Sequence, residues 1–460
     1  MPSARSRPAV HRGESDDSEG ILRRQSLRES AARTYARSLP VVPVRARGMT
    51  IEGADGGRYL DCLSGAGTLA LGHNHPVVLE AIRAVLDSGA PLHVLDLATP
   101  VKDAFTTALF ETLPRQLAEH GRIQFCGPAG TDAVEAALKL VRTATGRRGL
   151  LAFSGGYHGM TAGALAATGD TAVRGAAGAA DAHITRLPYP YDYRCPFGVG
   201  GEYGAELSAR LTESLLDDPK GGIQPPAGML VEAVQGEGGV IPAPDPWMRR
   251  MRDLTAARGI PLIADEVQTG VGRTGAFWAV EHSGVVPDVM VLSKAIGGSL
   301  PLAVVVYREE LDAWQPGAHA GTFRGNQLAM AAGTATLAYV RRNGLAEHAA
   351  LLGARMLTRL RALAAEHPCV GDVRGRGLML GVELVDPEAA PGLGGVPPTA
   401  PRLAAAVRRA ALDRGLIVEL GGRDSSVIRL LPPLTITEEQ SEAVLERLAD
   451  ALAAAVAIRA

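Results

Sequence analysis

The sequence has few of the features that mark secreted, metal-binding or membrane proteins. Its only four cysteines lie far apart and form no CxxC pair: Cys62, Cys126, Cys195 and Cys369. This spacing predicts no zinc or other metal site and no disulfide framework, and it favours reduced thiols in a cytoplasm. The N-terminus lacks the apolar segment of a signal peptide, and no apolar run is long enough to cross a bilayer. We therefore expect a soluble, cytoplasmic protein with no membrane partner.

The sequence also lacks an excess of charge of either sign. The formal net charge is −2, and charged residues make up 21% of the chain. Without a basic bias there is no electrostatic reason to expect binding to nucleic acid or to anionic lipid. The hydrophobic content of 46% is ordinary for a globular protein with a packed core.

The length of 460 residues indicates more than one domain. Residues 1–30 are polar and charged and are predicted to form a mobile tail, followed by a segment, 31–75, that packs with the smaller domain. From 76 to 340 short apolar runs alternate with helical segments, which predicts a large α/β domain with a mostly parallel sheet. Long Ala/Leu/Arg helices and short strands predict a smaller α+β domain over 341–460. Six runs are predicted as strands of the large domain: IQFC, LLAF, MLVEAV, IPLIAD, VMVLS and LAVVVY.

Two of these predicted strands end at charges of opposite sign. The run Ile260 to Ala264 stops at Asp265 and Glu266, and the run Val289 to Leu292 stops just before Lys294. Ligands bind at this edge of an open α/β sheet, and burying a carboxylate or a lysine there is costly unless something uses it. A cofactor with an aldehyde and a basic ring nitrogen would use both, since lysine forms its Schiff base and aspartate holds the ring proton. A structural ion pair is the alternative.

A glycine-rich turn precedes a predicted helix in QFCGPAGTDAVEAALKL, Gln124 to Leu140. Gly130 and Thr131 stand where this helix begins, and a helix start binds phosphate through free amides and the helix dipole. The pattern is neither a Walker loop nor GxGxxG, which disfavours ATP and dinucleotides. A tight turn without a ligand is the alternative. The apolar face of the helix is predicted to consist of Val134, Leu138 and Val141.

Further candidates lie in four other motifs. SGGYHGMT places Tyr157 and His158 at the same sheet edge, where an aromatic ring can stack on a flat ligand or simply pack in a turn. Thr322 in GTFRGN can bind an anion or belong to a turn that caps the next helix. Glu237 follows a strand and Arg429 interrupts an apolar strand. A buried arginine needs a carboxylate partner, either from substrate or from a structural Arg–Glu pair.

Five ordered motifs together resemble the class III (ω-amino) pyridoxal-phosphate aminotransferases of fold type I. They are EAVQGEGG, ADEVQTGVGRTG, SKAIGG, GTFRGN and RLLPPL. The likeness covers nearly the whole chain from about Ser38, and within the class it is strongest to enzymes that act on L-2,4-diaminobutyrate and 2-oxoglutarate. It implies an α/β architecture with a large cofactor-binding domain, a smaller C-terminal domain, and a homodimer with active sites at the interface.

The resemblance implies that Lys294 forms the Schiff base with pyridoxal 5'-phosphate and that Asp265 pairs with the ring nitrogen. Val267 and Tyr157 would pack on opposite ring faces, with Gln268 near the phenolic oxygen. The full set of implied cofactor-binding residues is Gly130, Thr131, Tyr157, His158, Asp265, Val267, Gln268, Lys294 and Thr322.

The phosphate would be held by the Gly130 and Thr131 amides and by Thr322 from the other subunit. Where much of the class has Asn-Ser before the phosphate-loop glycine, this chain has Pro128-Ala129, so the backbone amides must do more of the work.

The implied reaction is a ping-pong conversion of L-2,4-diaminobutyrate and 2-oxoglutarate to L-aspartate 4-semialdehyde and L-glutamate. Arg429 would bind the α-carboxylate of the acceptor, and Glu237 would neutralise Arg429 when an ω-amine donor is bound. The alternatives are another ω-aminotransferase, acting on 4-aminobutyrate, ornithine or acetylornithine, an aminomutase of the same fold, and a catalytically idle binding protein.

Overall fold

The computed structural model of the protein describes residues 18–177 and 183–459. Its strands are β1 (Pro43–Arg47), β2 (Thr50–Gly53), β3 (Arg58–Asp61), β4 (Gly121–Phe125), β5 (Leu150–Phe153), β6 (Ile184–Leu187), β7 (Gly228–Val231), β8 (Val234–Gln235), β9 (Ile241–Pro242), β10 (Leu262–Asp265), β11 (Val289–Leu292), β12 (Val304–Arg308), β13 (Val370–Arg376), β14 (Met379–Leu384), β15 (Leu416–Ile417), β16 (Glu419–Gly421) and β17 (Val427–Leu430).

The α-helices alternate with these strands along the chain. They are α1 (Ser18–Arg28), α2 (Tyr35–Ser38), α3 (Pro76–Asp87), α4 (Pro100–Phe110), α5 (Arg115–His120), α6 (Gly130–Thr145), α7 (Ala162–Ala167), α8 (Thr171–Ala177), α9 (Gly201–Asp217), α10 (Asp245–Ala257), α11 (Gln327–Arg342), α12 (Leu345–Glu366), α13 (Pro401–Asp413) and α14 (Glu438–Arg459). Short 3₁₀ helices occupy Ala279–Ser283, Lys294–Gly297, Glu309–Leu311, Leu393–Gly395 and Arg423–Ser425.

The central sheet has seven strands in the order β4-β12-β11-β10-β7-β5-β6. Neighbouring strands are parallel, except that β12 runs antiparallel to both β11 and β4. The carboxyl ends of β10 and β11 therefore lie side by side, with Asp265 paired to Val291 in the register. The predicted α/β architecture with a mostly parallel sheet is confirmed.

Helices cover both faces of this sheet, which explains why its strands read as continuous apolar runs. Side chains alternate along each strand: Leu230 and Ile263 pack with α6, whereas Met229 and Leu262 pack with α9 and α10. The predicted apolar face of α6 is confirmed, because all three of its residues are buried: Val134, Leu138 and Val141.

The C-terminal part contains an antiparallel sheet, β13-β14-β17-β16, packed with α12 and α13. A separate sheet, β1-β2-β3-β15, joins the N-terminal strands to this part through the parallel pairing of Leu60 with Leu416. The domain boundaries at residues 75 and 340 stay predictions.

The predicted N-terminal tail lies partly outside the described residues, which begin at Ser18. The rest of that tail contains α1, a helix from Ser18 to Arg28. Across residues 18–177 and 183–459, every helix is too short or too polar to cross a membrane.

Candidate active site

A cavity of about 240 Å³ opens at the carboxyl ends of β10 and β11, beside the start of α6. This is the edge of the sheet at which α/β proteins bind ligands. The cavity gathers most of the predicted residues from segments that are up to 165 positions apart in the sequence. Its lining consists of Ala129, Gly130, Thr131, Tyr157, His158, Gly159, Met160, Glu232, Glu237, Asp265, Val267, Gln268, Thr269 and Lys294.

Lys294 enters the cavity directly after β11. It has a left-handed backbone conformation, with φ of 52°, and begins the 3₁₀ helix Lys294–Gly297. Burial lowers the pKa of Lys294, and the nearby Arg429 guanidinium lowers it further, against the opposing effect of Glu237 and Asp265. An amine whose proton is held less tightly is better suited to act as a nucleophile and as a base.

Asp265 ends β10 and pairs with a buried histidine. Its Oδ2 lies 2.7 Å from Nδ1 of His158, and its Oδ1 accepts a hydrogen bond from the amide of Val267 at 3.1 Å. Burial lowers the pKa of His158, but the hydrogen bond and charge of Asp265 outweigh it, so the net pKa lies above the ordinary value. His158 therefore holds the Asp265 carboxylate in place.

A second carboxylate, Glu232, lies behind this pair. Its two oxygens accept hydrogen bonds from the backbone amides of Tyr157 and Gly236, both at 2.9 Å. Burial raises the pKa of Glu232 to about 7, opposed by the nearby His158. Glu232 thereby fixes the loop that carries Tyr157, a residue that is 40% exposed and lines the cavity.

The start of α6 borders the cavity. The first amides of a helix have no partner within it, and here those of Gly130 and Thr131 belong to residues that line the cavity. A Cβ at residue 130 would lie 2.9 Å from Cγ1 of Val267, so glycine lets the helix start approach the turn after β10 this closely. The Thr131 hydroxyl is anchored by Thr161 at 2.7 Å.

Glu237 also lines the cavity and forms an ion pair with Arg429. Two N···O distances of 2.9 Å join the guanidinium to the carboxylate. The Arg429 side chain is fully buried, whereas that of Glu237 is 33% exposed. Although burial raises it, the pKa of Glu237 is lowered overall by Arg429 and Lys294. The predicted carboxylate partner of Arg429 is therefore a protein side chain, and Arg429 reaches the cavity through it.

Thr322 does not line the cavity of this chain. It is exposed in the loop that precedes α11, next to Phe323, whose side chain is 70% exposed. The role assigned to Thr322 stays a prediction.

Glu419 is a site residue that the sequence did not reveal. Its Oε2 lies 2.6 Å from Nη2 of Arg429, on the neighbouring strand β16. Glu419 belongs to the short segment LIVEL, Leu416 to Leu420, whose sequence does not indicate which strand it pairs with.

The residues around the cavity suit pyridoxal phosphate. Lys294 and Asp265 both face the same space, and the α6 amides lie at its edge. The Oε1 atom of Gln268 is buried without a hydrogen-bond partner among the described residues, as expected of a group that meets a ligand. An amine, a carboxylate and an anion-binding helix start form the donor set that this cofactor requires.

Known proteins are similar to this chain over most of its length. The profile of the aminotransferase class-III family matches residues 31–452. A diaminobutyrate–2-oxoglutarate aminotransferase of Rhizobium meliloti (strain 1021) is 55% identical over 439 residues, which cover 95% of this chain and 93% of that protein. A protein of the same name from Haemophilus influenzae is 48% identical over 427 residues, covering 93% of each chain.

Solved structures show the same fold. A thermostable (S)-enantioselective omega-transaminase from Thermomicrobium roseum aligns with a TM-score of 0.84 at 29% identity, over 96% of this chain and 100% of that one. An amine transaminase from an uncultivated Pseudomonas species, in its PLP-bound form, aligns with a TM-score of 0.83 at 30% identity, over 93% and 97%. Fold and site thus define a pyridoxal-phosphate-dependent enzyme of fold type I. The chain belongs to the class III aminotransferases.

Proposed function

We propose that the protein transfers the terminal amino group of L-2,4-diaminobutyrate to 2-oxoglutarate, giving L-aspartate 4-semialdehyde and L-glutamate. The observation that carries this proposal is the Glu237–Arg429 ion pair in the cavity that holds Lys294. The names of the two relatives that are 55% and 48% identical support the choice of substrates.

In this proposal the residues around the cavity have separate roles in binding the cofactor and moving a proton. The α6 amides would hold the phosphate of pyridoxal phosphate, Asp265 would pair with its ring nitrogen, and Lys294 would be its covalent anchor. Pyridoxal phosphate, when bound, supplies a ring that stabilises negative charge at the substrate carbon. The Lys294 Nζ, once free, takes the proton from the carbon that bears the reacting amine, and its lowered pKa suits it to this role.

Two unlike substrates must use the same space in turn. When Glu237 is paired with Arg429, the charge of the guanidinium is neutralised. The terminal amine of a donor can then approach Lys294. When 2-oxoglutarate enters, its α-carboxylate replaces Glu237 on Arg429. The Glu237 side chain is 33% exposed, so it has room to move away from Arg429 when the substrate carboxylate takes its place.

We propose also that the protein is a cytoplasmic homodimer in which Thr322 completes the phosphate site of the other subunit. The exposed Phe323 ring lies 5.6 Å from that of His93, between centroids. Exposed leucines at positions 92, 95 and 97 extend this apolar surface, as a subunit interface requires. All four cysteines are buried, which suits a reducing compartment.

A panel of amino donors at one fixed concentration of 2-oxoglutarate tests the substrate assignment. We expect kcat/KM for L-2,4-diaminobutyrate to exceed that for 4-aminobutyrate, ornithine and acetylornithine by at least about tenfold. Preference for one of these other donors would reassign the substrate. Turnover of diaminobutyrate without 2-oxoglutarate, and without release of glutamate, would instead indicate an aminomutase.

Replacing Glu237 with alanine should separate the two half-reactions. Without this carboxylate, Arg429 attracts the carboxylate of diaminobutyrate and misplaces its terminal amine. We expect the diaminobutyrate half-reaction to slow by on the order of tenfold to a hundredfold, and the glutamate half-reaction by less than about threefold. Stopped-flow absorbance of the cofactor measures each half separately, with the exposed Glu439→Ala as a control. Equal losses in both halves would remove the gating role.

A further inference from the structure

Arg429 has two carboxylate partners rather than one. Besides Glu237, it contacts Glu419, which stands directly opposite it in the antiparallel pairing of β16 with β17. The Glu419 Oε2 atom lies 2.6 Å from Arg429 Nη2. One positive charge is therefore shared between two negative charges.

The two partners differ in how firmly they are held. Glu419 lies in the same sheet as Arg429, and its side chain is only 10% exposed. Glu237 lies in the loop between β8 and β9, and its side chain is 33% exposed. A strand residue moves with its cross-strand neighbour, whereas a loop residue can move away from it. Glu237 is thus the partner that a substrate carboxylate replaces, whereas Glu419 remains paired with Arg429.

The surroundings of Glu419 favour the arrival of positive charge. Burial raises the pKa of Glu419, and the negative charge of Glu237 raises it further, against the opposing effect of Arg429. The Tyr35 hydroxyl, from α2, lies near Glu419 and opposes this rise in its pKa. With both carboxylates ionised, the group carries a net charge of −1 beside the cavity. A nearby ammonium would offset that charge, whereas a further carboxylate would add to it.

We propose that Glu419 determines donor specificity by favouring substrates with a second ammonium group, at the end remote from the reacting amine. This inference rests on the proposed function and names the group that selects the diamine. In the donor half-reaction, the remote end of L-2,4-diaminobutyrate carries one ammonium and one carboxylate. In 4-aminobutyrate, the remote end carries the carboxylate alone. The two donors form a matched pair that differs by the ammonium only.

The test is the ratio of kcat/KM for L-2,4-diaminobutyrate to that for 4-aminobutyrate. We expect Glu419→Gln, which keeps shape and removes charge, to lower this ratio by about tenfold. Tyr35→Phe removes the hydroxyl that supports the ionised carboxylate, and we expect a fall of about threefold in the same direction. The exposed Glu347→Gln is the matched control and should leave the ratio unchanged. Unchanged ratios in both site variants would overturn the proposal.

A binding measurement separates this proposal from the substrate assignment. Glutarate is an unreactive dicarboxylate of the size of 2-oxoglutarate, and Glu419 should oppose it. Calorimetry on the purified holoenzyme should show glutarate binding about tenfold more tightly to Glu419→Gln than to the wild type. If the wild type fails to use diaminobutyrate while this tightening occurs, the proposed substrate is wrong and the charge effect of Glu419 stands. If glutarate affinity is unchanged, the role of Glu419 is wrong.

Discussion

Replacing Lys294 with alanine should abolish transamination, with a fall in kcat of at least about 10³-fold. Two losses combine in this variant. The covalent anchor of the cofactor disappears, and so does the base that takes the proton from the substrate carbon. Burial lowers the pKa of Lys294, so its amine gives up its proton more readily than an exposed lysine does. A water molecule or a more distant amine lacks this property and is a poor substitute.

Absorbance and activity together test this prediction. The wild-type protein should absorb in the visible region, and Lys294→Ala should lose that band along with turnover. Lys294 is one of four lysines in the sequence, and the exposed Lys220 is a suitable control. Lys220→Ala should retain both properties. Full activity in Lys294→Ala would contradict the assignment of this residue.

Local pattern was sufficient to predict most of the central sheet. Buried parallel strands need apolar side chains on both faces, so LLAF and VMVL stand out from the polar segments around them. The strand β6 at the sheet edge was not predicted. Its sequence ITRL contains Thr185 and Arg186, because an edge strand has fewer neighbours to pack against and tolerates polar residues.

The paired acids at the end of β10 show what the sequence leaves undecided. Asp265 faces the cavity, whereas Glu266 accepts hydrogen bonds from the Val280 amide at 2.9 Å and from the Thr269 hydroxyl. Successive residues of a strand point to opposite sides, so only one of two adjacent acids can serve the site. Which of them does so depends on the register of the sheet. The residues alone suggested that the aspartate of this pair holds the ring proton, and the family resemblance implied the same role for Asp265.

Contacts between distant segments were the least predictable part of the site. Arg429 was predicted to need a carboxylate, and Glu237 was identified through the resemblance. Glu419 was missed, because its position opposite Arg429 follows from the pairing of β16 with β17. Such a pairing depends on how the whole C-terminal sheet packs, and a short stretch of sequence does not determine it.

Replacing Asp265 with asparagine should lower kcat on the order of 10³-fold while leaving the fold intact. Asparagine has nearly the same shape and keeps one oxygen near the Val267 amide, but it carries no charge. It can therefore no longer favour the protonated form of the ring nitrogen. The same change removes the negative charge from beside His158, whose pKa should then fall below its present raised value.

The neighbouring acid supplies the control that isolates this effect. Glu266→Gln also removes a buried carboxylate, and burial already raises the pKa of Glu266 to about 7, so the loss of its charge costs little at neutral pH. We expect Glu266→Gln to alter thermal stability but to keep kcat per folded site within about threefold of the wild type. If Asp265→Asn were as active as Glu266→Gln, the cavity-facing charge would be irrelevant to the reaction. A large loss in Asp265→Asn alone would locate the electrostatic requirement at the cavity face of β10.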